Sequence, residues 1–291
     1  MTLRAVVFGL VLGTVLVTAR VIADEYWGHR ITVRTDVAYG TEPDQTLDAY
    51  LQGTPEGEPL WFSLTGKKPT VVWIHGGGWL RGDKGAQLPW IAHYLERGYN
   101  AVSLNYRQGP DTALQAVDDV LCAYKWLTEE ATDMGIDPAS MIVAGASAGG
   151  HLALLVGLLN ASGDHPCKTP TPPVAVINWF GITDIAAVET YLSEERPQGN
   201  YAREWVGTPQ RLPEIARRFS PLLLVDDDTP PIITIHGTSD TVVPFAQAEA
   251  LHQTLTSHNR LVSLSGGNHG GFTDAQFETA YQAIFAFLDD L

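Results

Sequence analysis

The run Gly145-Ala146-Ser147-Ala148-Gly149 stands directly between an apolar stretch at residues 141–144 and a helical pattern that starts at Ala148. Gly-x-Ser-x-Gly between a strand and a helix demands a sharp turn that lifts the serine above the edge of a sheet. The glycines are needed because the turn brings neighbouring backbone so close that a β-carbon would clash. An oxyanion developing next to this serine meets the free N–H groups of a helix N-terminus. A phosphate loop is excluded: position 147 is Ser where a dinucleotide fingerprint needs its second Gly, and no Gly-Lys-Ser/Thr follows.

Around that turn the chain alternates strand and helix. Short β-rich runs bounded by Gly, Pro, Asn or Asp occur at residues 31–39, 46–51, 70–75, 101–105, 141–146, 174–180, 232–236 and 261–265, predicting eight strands. Several, such as Val71-Val72-Trp73-Ile74, are continuously apolar, as strands buried on both faces of a parallel sheet are. Helical patterns cover 112–130, 148–159, 245–256 and 274–291. The expected fold class is α/β: an eight-stranded, mostly parallel sheet with helices on both faces and an antiparallel hairpin at one edge, turning near Pro43-Asp44. Residues 184–224 break the rhythm with four prolines and several aromatics, and are expected to form a small lid or pocket insertion between strands six and seven. Residues 24–291 are read as one catalytic domain.

Two more loops carry chemistry. His75-Gly76-Gly77-Gly78-Trp79 ends the third strand, where backbone N–H groups of Gly77 and Gly78, with that of Ala148, form an expected oxyanion hole. Asp240 follows the seventh strand and His269 the eighth, so the chain order is Ser, Asp, His. Ser147 is the expected nucleophile, His269 the base and Asp240 the acid that holds the imidazole tautomer. Asp184, after the sixth strand, competes as the acid, but the Asp240 loop directly continues a buried strand and runs into a Val-Val-Pro helix start. His75 and His236 are expected to hydrogen-bond loop backbone, His151 to pack in the elbow helix, and His93, His252 and His258 to lie on helix surfaces. Trp79, Trp179, Ile182 and Phe272 are candidates for the substrate pocket, with core packing the competing role. No His-Glu-x-x-His, Cys-x-x-Cys or carboxylate cluster is present, so neither a catalytic metal nor a cofactor is expected.

The first residues read as a secretory leader: Arg4, an apolar run from Ala5 to Val17, then Val21-Ile22-Ala23 before Asp24-Glu25. The run is shorter than the roughly 20 residues that span a bilayer, so cleavage after Ala23 and a secreted or periplasmic location are expected, without stable membrane insertion. Removing 1–23 takes away Arg4 and Arg20 and no acid, which deepens an already negative net charge of −15. Nucleic acid and anionic lipid are therefore poor partners. Cys122 and Cys167 are the two cysteines. They permit one disulfide in an oxidising compartment, and a buried free thiol at Cys122 is the equal alternative.

At these motifs the sequence resembles α/β-hydrolase fold serine esterases of the hormone-sensitive-lipase-like and the bifunctional feruloyl and acetylxylan esterase-like branches. The resemblance also covers Arg81-Gly82-Asp83-Lys84, Asn105-Tyr106-Arg107, Phe180-Gly181-Ile182-Thr183-Asp184 and His236-Gly237-Thr238-Ser239-Asp240-Thr241-Val242-Val243-Pro244. It implies hydrolysis of short-chain acyl, acetyl or feruloyl esters, free or linked to plant polysaccharide. It departs from the lipase-like branch in having few residues before the first strand, so a fairly open site is expected in place of a large cap. An amidase, arylformamidase or peptidase using the same triad stays open, as does a non-catalytic binding module on the same scaffold. No oligomeric state is specified.

Overall fold

A computed structural model describes residues 31–53, 68–161 and 165–291; the expected leader lies outside them. Eight strands among the described residues, β1 (Ile31–Ala38), β2 (Thr46–Gln52), β3 (Thr70–Ile74), β4 (Asn100–Leu104), β5 (Met141–Ala146), β6 (Ala175–Trp179), β7 (Ile232–Gly237) and β8 (Asn259–Leu264), form one sheet. Their order is β1-β2-β4-β3-β5-β6-β7-β8. The β1–β2 and β2–β4 pairings are antiparallel and the others parallel. The expected edge hairpin is therefore β1–β2, and the carboxyl ends of β3, β5, β6, β7 and β8 lie along one edge, where open parallel sheets bind their ligands.

The helices are α1 (Leu88–Glu96), α2 (Ala113–Glu130), α3 (Ala148–Ala161), α4 (Ile185–Glu195), α5 (Tyr201–Val206), α6 (Leu212–Phe219), α7 (Ala246–Thr254) and α8 (Asp274–Asp289). Strand side chains alternate between two cores. Val72, Ile74 and Val143 face α2, α3 and the helices of the 184–224 segment, whereas Val71, Trp73 and Ile142 face α1 and α8. Of these helices, α1 and α4–α6 were not expected from the sequence. Leu88–Glu96 starts with a proline in its first turn, and α4 and α5 are capped by Asp184 and Asn200. His258, expected on a helix, lies in the turn before β8.

The 184–224 segment does not stand off the domain. Ile185, Val188, Leu192, Trp205, Val206, Ile215 and Phe219 are buried in the same core as α3. The link to the sheet edge is polar as well as apolar. The Trp205 indole stacks on Trp79 at 4.2 Å, and Trp79 Nε1–H donates to His151 Nδ1 at 3.2 Å. His151 Nε2 in turn donates to the Phe219 carbonyl at 2.7 Å. This bridge requires the neutral imidazole protonated on Nε2. Burial, opposed by the bond to Phe219, pushes the His151 pKa down to about 4 and keeps that form.

Below the glycine loop lies a buried ammonium. Lys84 Nζ donates to Asp36 at 2.7 Å and Asp48 at 2.6 Å, with Lys84 and Asp48 both buried. A register shift between Arg34 and Val37, with Asp36 at φ 55°, brings the Asp36 carboxylate to this cation. Burial works against the charge, but the two carboxylates raise the lysine pKa above its ordinary value. The Lys84 N–H also donates to Asn105 Oδ1, and its carbonyl accepts from Ser103 Oγ, so the segment after the glycine loop is bolted to the end of β4.

Cys122 of α2 and Cys167 form a disulfide, with Cα atoms 4.8 Å apart and a sequence separation of 45. Chain entropy for a loop of that length corresponds to about 4 kcal/mol. The double variant Cys122→Ser/Cys167→Ser should unfold at lower urea concentration by about 2–4 kcal/mol, and an unchanged midpoint would show that the link adds nothing. Lys84→Met leaves the Asp48 carboxylate buried without its cation and should cost about 3–5 kcal/mol in the same measurement. A loss below about 1 kcal/mol would mean that water replaces the ammonium there.

Candidate active site

Ser147 is the first residue after β5 and has φ 58°, a left-handed conformation that is unfavourable for any residue with a side chain. The surroundings hold it there. Its N–H donates to the Trp179 carbonyl at 2.8 Å, and its carbonyl accepts the first α3 hydrogen bond, from His151 N. Gly149 tolerates the consequent crowding: a β-carbon there would lie 2.6 Å from the His75 carbonyl oxygen. The turn is thus wedged between β6 and the end of β3.

From β8, His269 turns its Nε2 to Ser147 Oγ at 2.9 Å, and its Nδ1 to Asp240 Oδ2 at 2.7 Å. An ionised carboxylate can only accept, so Nδ1 carries the proton and Nε2 is left with a lone pair facing the serine hydroxyl. Asp240 Oδ1 accepts from Val242 N at 2.8 Å and Val243 N at 2.9 Å. Burial alone would raise the Asp240 pKa, but the N–H groups of His236 and His269, and that of Val243, hold it well below the usual carboxylate range. Asn268 Oδ1 accepts from both His269 N and Thr241 N, tying the Asp240 and His269 loops together. Tyr191 and Tyr201 hydroxyls donate to the Thr241 and Val242 carbonyls from the 184–224 segment.

The glycine loop after β3 abuts the serine. Gly77 and Gly78 both have positive φ, at 113° and 65°. At Gly78 a β-carbon would press on the Tyr201 side chain and take up a strained left-handed conformation, so glycine suits both the conformation and the gap. Ala148 begins α3, where the first N–H groups have no intrahelical partner. Of the residues expected to hold an oxyanion, Ala148 follows Ser147 directly at the helix start, and Gly77 and Gly78 belong to the loop whose Gly76 packs against Ala146 and Ser147.

Sequence expectation and structure part company over the pocket. Trp79, Trp179 and Ile182 have no exposed surface and belong to the core. Trp79 is enclosed by Trp205 and His151, and Trp179 by Trp90, Phe272, Phe277 and Tyr281. Large aromatic rings gain more from such burial than from lining a wet cleft. Of the four, Phe272 alone is partly exposed. Asp184 caps α4, accepting from Ala187 N, and it is Asp240 that meets His269.

Sequence reasoning missed Phe180. It follows β6 at φ 38°, and its ring meets that of His269 edge-on at 4.6 Å and that of Phe272 at 5.7 Å. The available signal was its place at the carboxyl end of a buried strand, on the same edge as the triad loops.

With this geometry in place, the chain can be compared with known proteins. The BD-FAE family model matches residues 63–255. Esterase LipC of Mycobacterium tuberculosis is 29% identical over 254 residues, covering 83% of this chain and 60% of LipC. Isoprenylcysteine alpha-carbonyl methylesterase ICME of Arabidopsis thaliana is 26% identical over 250 residues, covering 81% and 56%. The chain thus spans little more than half the length of these curated relatives. Among solved structures, a truncated form of carbohydrate esterase from gut microbiota superposes with a TM-score of 0.69 at 25% identity, covering 88% of this chain and 96% of that one. Esterase B of Lactobacillus rhamnosis gives 0.72 at 21% identity, covering 89% and 85%, a likeness of fold. A strand order with one helix-flanked, mostly parallel sheet, a Gly-x-Ser-x-Gly elbow and a family model matched across most of the chain lead to one conclusion: this protein has the α/β-hydrolase fold and belongs to the BD-FAE family.

Proposed function

We propose that the chain is a secreted serine carboxylesterase in which Ser147, His269 and Asp240 act as nucleophile, base and acid. The observation that carries this reading is the continuous hydrogen-bonded relay of 2.9 Å and 2.7 Å from hydroxyl to carboxylate. Ser147 Oγ attacks the ester carbonyl carbon as His269 Nε2 takes its proton. The tetrahedral oxyanion is held by the N–H groups of Gly77, Gly78 and Ala148. On collapse the C–O bond to the alcohol breaks and His269 returns its proton to the leaving oxygen. Water then adds to the acyl-enzyme by the same route and frees the acid and Ser147.

Residues 24–291 are proposed as one catalytic domain, with 184–224 as a fixed wall of the site, a role supported by Tyr201 beside Gly78. Phe272 is partly exposed on this edge and is the proposed aromatic lining of the acyl site, while buried Phe180 backs His269 from the core. The acetyl or feruloyl esters of plant polysaccharide are the proposed natural class, supported by family membership and by likeness to a carbohydrate esterase. Export is supported by the Cys122–Cys167 link together with the leader-like first residues, because disulfides persist in oxidising compartments.

A panel of p-nitrophenyl acetate, butyrate and decanoate, methyl ferulate, acetylated xylan and a matched anilide tests this reading. Turnover should be confined to the short acyl and feruloyl esters, and Ser147→Ala should lower kcat by at least about 10⁴-fold. Anilide cleavage without ester turnover would hand the site to an amidase. Since Asp240 is held ionised well below the usual carboxylate range, it should add no protonation of its own to the acid limb of the rate, and log kcat/KM should fall with unit slope. A slope of two would show that a second group must also lose its proton.

A further inference from the structure

The acid of the relay has a second imidazole behind it. His236, at the end of β7, is fully buried, with ring walls from Phe245 at 5.6 Å and Phe180 at 6.4 Å. Its Nε2 lies 2.9 Å from the Val243 carbonyl oxygen and 3.4 Å from Asp240 Oδ2. A carbonyl only accepts, so Nε2 carries the hydrogen. Nδ1 is buried with no hydrogen-bond partner among the described residues. A proton there would be an orphaned donor on a buried cation, so the form that fits is the neutral Nε2–H tautomer.

We propose that His236 is a positioning residue for the triad acid, its Nε2–H shared between Val243 O and the carboxylate oxygen that receives His269. This inference rests on the triad reading above. Val243 O is the nearer acceptor, and the contact to Oδ2 at 3.4 Å is the longer arm of a three-centre bond. Both arms close the loop from β7 to α7 back on the strand that starts it. The Asp240 carboxylate then meets two backbone N–H groups on Oδ1 and two imidazoles on Oδ2, which prevents it from rotating out of the His269 plane.

The second donor also has an electrostatic consequence. A carboxylate with one fewer N–H donor is more basic and stabilises positive charge beside it more, so the acid limb of the rate moves to higher pH. The titratable and charged groups that face the pair are Ser147 from the elbow, His236 from β7 and Tyr201 from α5, with Arg196 and Tyr191 behind Tyr201. Burial, reinforced by Asp240, pushes the Tyr201 phenol well above its ordinary range, so it stays neutral across the acid limb.

The test compares wild type with His236→Leu, which lacks the donor, and His236→Gln, whose amide nitrogen can reach where Nε2 stood. Turnover of p-nitrophenyl acetate is followed over pH, with the active fraction counted from the pre-steady-state burst. His236→Leu should lose about 10–100-fold in kcat per active site with little change in KM. Its acid limb should move about half to one unit to higher pH, and His236→Gln should recover most of both effects. Should the leucine variant fail to fold, His236→Asn, too short to reach Oδ2, is judged by the same two readouts. A folded donorless variant with wild-type kcat per active site and an unmoved limb would overturn the proposal and leave His236 as scaffold. Failure of the triad reading is separate, since it would appear as undiminished turnover in Ser147→Ala.

Discussion

A serine at φ 58° between a fully buried strand and a helix relaxes unless its neighbours leave it no alternative. Here they leave none: the Trp179 carbonyl takes its N–H, His151 N takes its carbonyl, and the backbone at the end of β3 closes on Gly149. Everything else at the sheet edge is built to that clamp. The parallel strands bring the glycine loop, the Asp240 loop and the His269 loop to one side, and the antiparallel pair β1–β2 is spared for a different task. Its bulge carries Asp36 to the ammonium of Lys84, which secures the segment following the glycine loop.

Several histidines around the elbow are distinguished by burial and by which nitrogen meets a carbonyl. His151 is neutral because burial forbids charge, and as a neutral bridge it joins Trp79 to Phe219 across two parts of the chain. His236 uses the same tautomer behind Asp240. His269 takes the opposite one, protonated on Nδ1, since it alone of the three faces a carboxylate at 2.7 Å. One residue type thus gives a buried bridge, a ring bonded to loop backbone and a ring whose free nitrogen faces a serine, according to the acceptor each is offered.

Much of this is legible in the amino-acid sequence. Strands buried on both faces, such as β3 and β7, are apolar runs between turn residues, and all eight ended within two residues of where their turn signals place them. The Ser, Asp, His order placed three loops on one edge because a parallel sheet gives no other choice. What escaped was tertiary. Helix α1 is a short segment whose proline start is a weak signal, and α4–α6 lie among prolines that read as loop. Trp79 and Trp179 stand on the edge in sequence, yet their rings turn into the two cores, a direction that position along the strand does not encode. The Cys122–Cys167 pairing depends on a distance between α2 and a later loop, which only the folded chain supplies.

The central claim is that Ser147, activated by His269, forms a covalent intermediate. Its most direct measurement is labelling by a p-nitrophenyl phosphonate ester, followed by peptide mass mapping. The account predicts one phosphonyl group per chain, on Ser147, with p-nitrophenol released in equal amount and with labelling abolished in His269→Ala. Esterase turnover that persists while Ser147 remains unlabelled, or a label carried by another residue at the same stoichiometry, would contradict it.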